Sequence, residues 1–359
     1  MYRMSSFYNS PVAILYQAAL PPVKNGIIKP MKPGGYSDSG ADMAFTLQQA
    51  GIPVVTPVGH PDPTQVYDWV FPDTRQGIEQ ALTLGAKRLW LNTILFETHP
   101  IQHYLNQGIP VVGQDPSLVE LYDDKWDTNA LLRSKGLPIP SAHILQRVAE
   151  LESILQQGLL LPVVAKPIRG RGSAGVSLIH TPEELRATVK AMLQSAEFGD
   201  AIMIETYLPG QEVTLTVMPP GRYHLEGASV AKTRYWSLPP VKRFNHQNGI
   251  APYNGVVAVV ANSAIVSDEE RRTESLQVLM RQCEQAAEVV SARAPIRIDC
   301  RQDNQGTYYL FDLNLKPNMT GAGRPGREDQ DSLSALAARS IGWSYPDLLV
   351  NMLAQQWHR

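Results

Sequence analysis

The chain has 359 residues, 43% of them hydrophobic, enough for two or three domains with real cores, and its formal net charge of −2 excludes a global attraction to nucleic acid or anionic lipid. Two cysteines, Cys283 and Cys300, are too few for a disulfide framework and are expected as buried thiols in a reducing compartment. The N-terminal residues lack a signal-peptide apolar core and no apolar run reaches bilayer length, so a soluble cytoplasmic protein with no membrane partner is expected.

Residues 11–118 alternate short apolar runs with amphipathic segments. Strands are predicted at Val12–Tyr16, Ile52–Val55, Arg88–Leu91 and Ile109–Gly113, with helices at Ser39–Gly51, Thr74–Leu84 and His99–Gly108. Such alternation predicts a small α/β domain around a mostly parallel sheet, with ligands at the strand C-termini. Between the first strand and the first helix lies Ala18–Asp38, carrying Pro21, Pro22, Pro30, Pro33, Gly34 and Gly35. It is too long for a plain connector and reads as a substrate-facing loop.

A helix is predicted over Ser117–Gly136 and a strand over Leu159–Pro167, which runs into the glycine-rich Ile168–Val176. A strand follows from Val176 to Ile179, and Thr181 with Glu184 forms a capping box opening a helix over Pro182–Gln194. Ala201–Leu208 is the next strand, and the alternation of Gln211–Val217 suits a half-buried antiparallel one. Residues 219–263 are less regular and rich in polar and aromatic groups, including Tyr235, Trp236, Tyr253 and Asn254. A long helix is predicted over Ser267–Arg293, opened by a capping box of Ser267 and Glu270, and a final one over 332–357, broken near Gly342 and Pro346.

Between those helices, Pro295–Arg301, with Arg297, Ile298 and Asp299 on a strand, and Tyr309–Asn314 read as a hairpin whose turn is Gln302–Thr307. Side chains alternate faces along a strand, so Arg297 shares a face with Asp299, and Asp312 with Asn314. Pairing can bring Asp299, Asp312 and Asn314 together, an all-oxygen set suited to Mg2+ bound with phosphates, although two acids on a solvated sheet face would look the same. Lys166-Pro-Ile-Arg-Gly-Arg-Gly-Ser-Ala-Gly175 is a glycine-rich turn flanked by cations. Its backbone N–H groups can approach phosphate oxygens, with Ser173 and Lys166 adding a hydroxyl and a charge; it is equally readable as an ordinary glycine-rich hairpin.

The order of these motifs resembles the ATP-grasp superfamily and, within it, the D-alanine–D-alanine ligase branch. The resemblance rests on Asp124-Lys125, Gly136-Leu-Pro-Ile-Pro140, Pro162–Pro167 with the glycine turn, Ile204-Glu-Thr-Tyr-Leu208, Gly210-Gln-Glu-Val-Thr214, Arg297-Ile-Asp299 and Asp312–Thr320. It implies an α/β (α+β ATP-grasp) fold: an N-terminal parallel α/β domain over 1–120, a small central lid domain over 121–205 and a C-terminal antiparallel-sheet domain over 206–359. It also implies ATP as cofactor, with Lys125 and Lys166 on its phosphates and the loop of Gly170, Gly172, Ser173 and Gly175 folded over them. Glu205, Thr206, Tyr207 and Leu208 would meet the adenine edge, largely through backbone groups, and Glu212 the ribose. Asp299, Asp312 and Asn314 would hold two Mg2+ ions, with Mn2+ as a substitute. Arg297 would stabilise the transferred phosphoryl group or the tetrahedral intermediate, beside Lys166 and Ser173 as further catalytic groups. The family usually has Glu where Asp312 stands, a change that shortens reach.

The likeness thins on the substrate side. Gly34-Gly-Tyr-Ser-Asp-Ser-Gly40 lacks the Glu that follows the Gly-Gly loop in D-alanine–D-alanine ligases, and Leu91–Glu97 replaces their Gly-Glu-Asp-Gly motif. After Asn314 the chain has Lys316-Pro-Asn318 and Gly321–Arg327 in place of a small-residue run. Arg324 and Arg327 are candidates for gripping a substrate carboxylate, since guanidinium binds it bidentately, and equally for an exposed basic loop. Arg243, His246 and Asn318, with Lys242 and Asn248, are further candidates for the same pocket. The expected activity is an ATP-dependent carboxylate–amine ligase forming an amide or C–N bond through an acylphosphate and releasing ADP and phosphate. An amino acid and a carboxylate acceptor are its small-molecule partners, in natural-product biosynthesis (mycosporine-type products being one setting) rather than peptidoglycan. The alternatives are an ATP-grasp kinase or carboxylase-like enzyme and a non-catalytic ATP-binding module. The family also makes a homodimer an open assembly.

Overall fold

The structure of the chain, a computed structural model, describes residues 9–359 apart from 25, 29–33, 171, 172, 196 and 253–257. Gly172 of the glycine turn, Tyr253, Asn254, and Pro30 and Pro33 of the proline-rich segment lie outside the described residues.

The chain begins with β1 (Val12–Tyr16), whose first four residues are wholly buried, as a parallel strand covered on both faces requires. Two short strands, β2 (Val23–Lys24) and β3 (Ile27–Ile28), pair with one another inside the proline-rich segment. Helix α1 (Ser37–Gln49), strand β4 (Phe71–Pro72), α2 (Arg75–Thr83), β5 (Arg88–Asn92), α3 (Ile101–Leu105) and β6 (Val111–Val112) complete a parallel sheet ordered β4–β1–β5–β6. The strand predicted at Ile52–Val55 is reduced to a single parallel bridge between Val12 and Val54. Pro53 has no N–H to donate, so a regular ladder cannot extend through it. Trp357 closes the far edge, exchanging backbone hydrogen bonds of 2.8 and 2.9 Å with Val111.

The helix predicted over Ser117–Gly136 is two: α4 (Pro116–Leu121) and α5 (Lys125–Ser134). The Asp124 side chain accepts from the backbone N–H groups of Trp126 and Asp127, which starts α5 afresh with Lys125 as its first residue. Strand β7 (Ala142–Leu145), α6 (Val148–Gln156), β8 (Val163–Pro167), β9 (Ser177–Ile179), α7 (Pro182–Ser195) and β10 (Ile202–Thr206) form an antiparallel sheet ordered β7–β10–β8–β9. Leu145, Leu151, Val163, Leu185, Val189 and Ile202 give it a core of its own.

Strand β11 (Glu212–Met218) starts the third sheet. A hairpin of β12 (Gly221–Leu225) and β13 (Ala228–Lys232) follows, then β14 (Trp236–Ser237), β15 (Val241–Arg243), α8 (Val259–Asn262) and β16 (Ser263–Ile265). The long helix predicted over Ser267–Arg293 is divided into α9 (Asp268–Arg271) and α10 (Glu274–Val289). Strands β17 (Ile296–Gln302) and β18 (Tyr308–Asn314) pair as predicted, and α11 (Leu333–Arg339) and α12 (Tyr345–Leu353) end the fold on either side of Gly342. The sheet order is β16–β15–β11–β17–β18. Strand β11 is buried on both faces rather than half-buried: Val213, Leu215 and Val217 join the core that includes Leu279 of α10, while Thr216 hydrogen-bonds Ser334 of α11 at 2.9 Å. That core also takes in Leu89 and Leu105, so the first and third sheets share one apolar interior. The central sheet stands apart from it, joined through the 205–211 crossing.

Candidate active site

Register builds the site. Asp299 and Asp312 are direct partners across β17–β18, Arg297 faces Asn314, and a bulge after Asp299 shifts the ladder so that Cys300 faces Leu310. On the other side β11 places Thr214 opposite Asp299, and its hydroxyl donates to Asp299 Oδ1 at 2.7 Å. Arg297 grips Asp299 with two parallel bonds of 3.2 Å. Burial pushes the Asp299 carboxyl above its ordinary value and the Arg297 guanidinium only partly offsets this. Asp312 goes the other way: burial would raise it, but Lys125, Lys166 and Arg297 together pull it below the usual range.

Two lysines from different elements converge on β18. Lys125, the first residue of α5, lies 3.1 Å from Asp312 Oδ1. Lys166 of β8 donates to Glu205 Oε1 at 2.8 Å and to the Phe311 carbonyl at 3.1 Å. Lys166 and Glu205 are diagonal neighbours across β8–β10, and both are nearly fully buried. Burial holds the Glu205 carboxyl above its ordinary value despite the lysine, and Glu205 Oε2 is a buried acceptor without a hydrogen-bond partner among the described residues. Hard oxygen donors of Asp299, Asp312 and Asn314 on one hairpin, with lysines beside them, fit Mg2+ and phosphate rather than a soft metal. Among the described residues no three His, Cys, Asp or Glu side chains converge as a metal-holding group.

The segment expected at the adenine edge, Glu205–Leu208, is where the chain leaves the central sheet for the third one. Glu205 turns inward to Lys166, Thr206 is exposed and Leu208 buried. Tyr207 accepts through its hydroxyl from Arg301 Nη2 at 3.0 Å. Glu212 sits in register between Arg243 on β15 and Arg301 on β17. Its Oε2 lies 2.9 Å from His246 Nε2 and 3.6 Å from Arg301 Nη1. His246 was expected on the substrate side; the structure joins it to the residue expected to take the ribose. Arg243 is buried and donates to Ser263 Oγ at 2.9 Å. In the glycine turn Ser173, at φ +61°, donates to the Ala251 carbonyl at 3.2 Å. A Cβ on Gly175 would come within 2.7 Å of the Phe198 ring. Gly170 lies against Pro167.

The arginines expected to grip a substrate carboxylate hold carboxylates of this chain. Arg324 bonds Asp42 Oδ1 at 2.8 Å and Asp38 Oδ1 at 2.6 Å. Arg327 bonds both oxygens of Asp42, at 2.8 and 2.9 Å, and reaches Asp38 Oδ2 at 2.6 Å. Burial raises the Asp42 carboxyl even against two guanidiniums. Close approach makes the clasp possible: a Cβ on Gly323 would meet Thr46 Oγ1 at 2.6 Å and the Asp42 carbonyl at 2.7 Å. Asn318 turns back on Thr320, accepting from its N–H and hydroxyl at 3.2 and 2.9 Å. Sequence reasoning missed Thr214 and Arg301, although both sit on strands already recognised, one alternation step from named residues.

Comparison with known proteins gives the family and the fold. The family model described as D-ala D-ala ligase C-terminus matches residues 131–354. The D-alanine–D-alanine ligase of Cupriavidus taiwanensis is 27% identical over 282 residues, 78% of this chain and 78% of that protein. A D-alanine–D-alanine ligase from Bacillus anthracis complexed with ATP superposes with a TM-score of 0.64 at 17% identity, covering 96% of this chain and 97% of that one. The VanG D-Ala:D-Ser ligase of Enterococcus faecalis gives 0.63 at 13% identity, covering 97% and 99%. These two structures speak to the fold. The family match spans more than half of the residues, including every strand of the hairpin site, and the chain therefore belongs to the D-ala D-ala ligase C-terminus family, an ATP-grasp ligase family.

Proposed function

We propose that the protein is an ATP- and Mg2+-dependent ligase that joins an amine to a carboxylate in small-molecule biosynthesis, outside peptidoglycan. The observation that carries it is the Asp299–Asp312 pair, directly opposed across β17–β18 with Arg297 and Lys125 on its two carboxylates. A carboxylate does not condense with an amine in water because its oxygen leaves poorly. Phosphorylating that oxygen makes phosphate the leaving group, and the amine then attacks the acyl carbon. Asp299, Asp312 and Asn314 would hold Mg2+, which supplies charge neutralisation to the phosphates when bound. Lys125 and Lys166 would meet phosphate oxygens, Arg297 would steady the charge that gathers on the transferred group, and Ser173 and Gly175 would stand on the side that excludes water.

The reading away from peptidoglycan rests on the substrate side, where Asp38 and Asp42 are bonded to Arg324 and Arg327. The relatives named above are D-alanine ligases, so D-alanine belongs first in any amine panel. A mycosporine-type acceptor with an amino acid is the specific setting we favour. A division at 1–120, 121–205 and 206–359, with one of the three larger sheets to each part and the two-stranded β2–β3 and β12–β13 in the first and third, belongs to the same reading, as does a cytoplasmic setting. Among the described residues no helix is long and apolar enough to cross a membrane.

The test is ADP release from Mg-ATP across amines paired with carboxylates. Release that requires both partners is expected. A phosphorylated product without amine would replace the ligase with a kinase, and ATP binding without any release would leave a binding module.

A further inference from the structure

The start of a helix is an unfavourable place for an ammonium, because the open N–H groups there carry partial positive charge. Lys125 nevertheless occupies the first position of α5 and meets Asp312 Oδ1 at 3.1 Å. Asp124, the N-cap, offsets that charge with one oxygen: Oδ1 accepts from the N–H groups of Trp126 and Asp127 at 2.8 and 3.2 Å. Its other oxygen, Oδ2, stands 3.7 Å from Arg169 Nε, and Arg169 Nη1 donates to Asp123 Oδ2 at 3.1 Å. One guanidinium thus lies against the carboxylates of two successive residues at the corner between α4 and α5.

Arg169 comes from just beyond β8, and two further contacts join the same segments. The Lys125 backbone N–H, one of the open donors of the helix start, donates to the Ile168 carbonyl at 3.0 Å. Ile168 is buried in a small cluster with Ala201 and Met203, against which Trp126 packs. Arg169 and Asp124 are themselves buried, so salt screens their charges little. Strand β8 also carries Lys166, which reaches the carbonyl of Phe311, the residue before Asp312 on β18. Each lysine therefore spans from its own element to β18, and Arg169 with Ile168 closes the third side of the triangle.

That third side decides where Lys125 stands. A lysine ammonium rides on a flexible stem, so its contact with Asp312 does not by itself fix the helix behind it. A guanidinium is a rigid planar fork, and set between two carboxylates it fixes the corner that carries them. We infer that Arg169 is a positioning residue for nucleotide binding. It locks the start of α5 to the end of β8, so that Lys125 and Lys166 keep one spacing over β18 and meet the same phosphate chain. This rests on the ATP-dependent reading and adds to it a residue that acts through Lys125.

Equilibrium binding of Mg-ATP to the full chain tests it, with Arg169→Met, Lys125→Met and the double variant beside the unsubstituted protein. Arg169→Met is expected to weaken binding about tenfold, the scale of one charge-assisted contact. With Lys125→Met already in place the same change should cost less than about twofold, because the lysine it positions is gone. A residue that merely staples the fold would give a loss independent of Lys125. Unchanged affinity in Arg169→Met, or an equal loss with and without Lys125, would each overturn the inference. Should Arg169→Met not fold, Arg169→Lys replaces it in the same cycle: it keeps the charge but lacks the fork, and its smaller loss should again vanish without Lys125. Failure of Mg-ATP to bind the unsubstituted protein would remove the nucleotide reading and the inference together. Binding without amine-dependent ADP release would remove the ligase and leave the role of Arg169 standing.

Discussion

Both the β17–β18 hairpin and the Asp38/Asp42–Arg324/Arg327 clasp set carboxylates against guanidiniums, but they use the charges differently. In the clasp, Asp42 is fully buried and takes three bonds from two arginines of one loop. Its anion capacity is consumed by the chain. In the hairpin each carboxylate has cations delivered by separate elements, α5 for Lys125 and β17 for Arg297, and Asp312 is 30% exposed. Cations arriving from separate elements can be re-shared when phosphate enters, whereas clasp arginines cannot turn to a ligand without stranding a buried acid.

Lys166→Met should break this comparison hardest. It leaves Glu205 buried without its bonded counter-charge, and a loss of about 3–5 kcal/mol in urea unfolding is expected. Asp299→Asn should keep the fold and lower ADP release by about 100- to 1,000-fold in steady-state assays. A double-mutant cycle on Asp42→Asn and Arg327→Ala should return a coupling of about 1–3 kcal/mol, the mark of a structural pair. Lys125→Met sharpens the contrast from the other side: its half-open pair with Asp312 should be worth less than about 1 kcal/mol of stability, while Mg-ATP affinity falls measurably.

The pH dependence of Asp312 follows from its depressed pKa. The folded state binds this proton less readily than the unfolded chain does. Its contribution is therefore present above the ordinary value of 3.8 and is lost as pH falls below it, through the folded pKa. Urea midpoints of the protein and of Asp312→Asn should differ at neutral pH and converge as the pH drops below 3.8. A gap that persists in strong acid would show that Asp312 acts by packing rather than charge.

The hairpin was legible because a period of two and a polar Gln302–Thr307 turn leave little choice of pairing. Its bulge was not: Phe311 is the extra residue, skipped between the pairs Asp299–Asp312 and Cys300–Leu310, and no glycine marks it in the sequence. Helix breaks escaped for a similar reason. Asp124 and Thr273 are ordinary polar residues inside an apolar repeat until their backbones are seen to be N-caps. The β12–β13 hairpin was hidden in a stretch whose strong strand residues are Tyr223 and Val230 alone, although Gly227, at φ +78°, marks its turn. On the substrate side the residue types were visible and their partners were not. Arg324 and Asp42 are far apart in sequence, and only the fold shows that the guanidinium meets an acid of its own chain.

The edge of the first sheet is completed by Trp357, whose backbone pairs with Val111 and whose indole N–H donates to the Gly113 carbonyl at 2.8 Å. During synthesis, β6 emerges while nearly all of the third sheet is still unmade. Its outer N–H and C=O groups then remain bare, open to pairing with another nascent chain. The outer edge of the first sheet is thus covered by a segment that follows every strand of the other two sheets in the chain. Fusions that hold this tail away from Val111 would leave a sticky edge on an otherwise folded molecule.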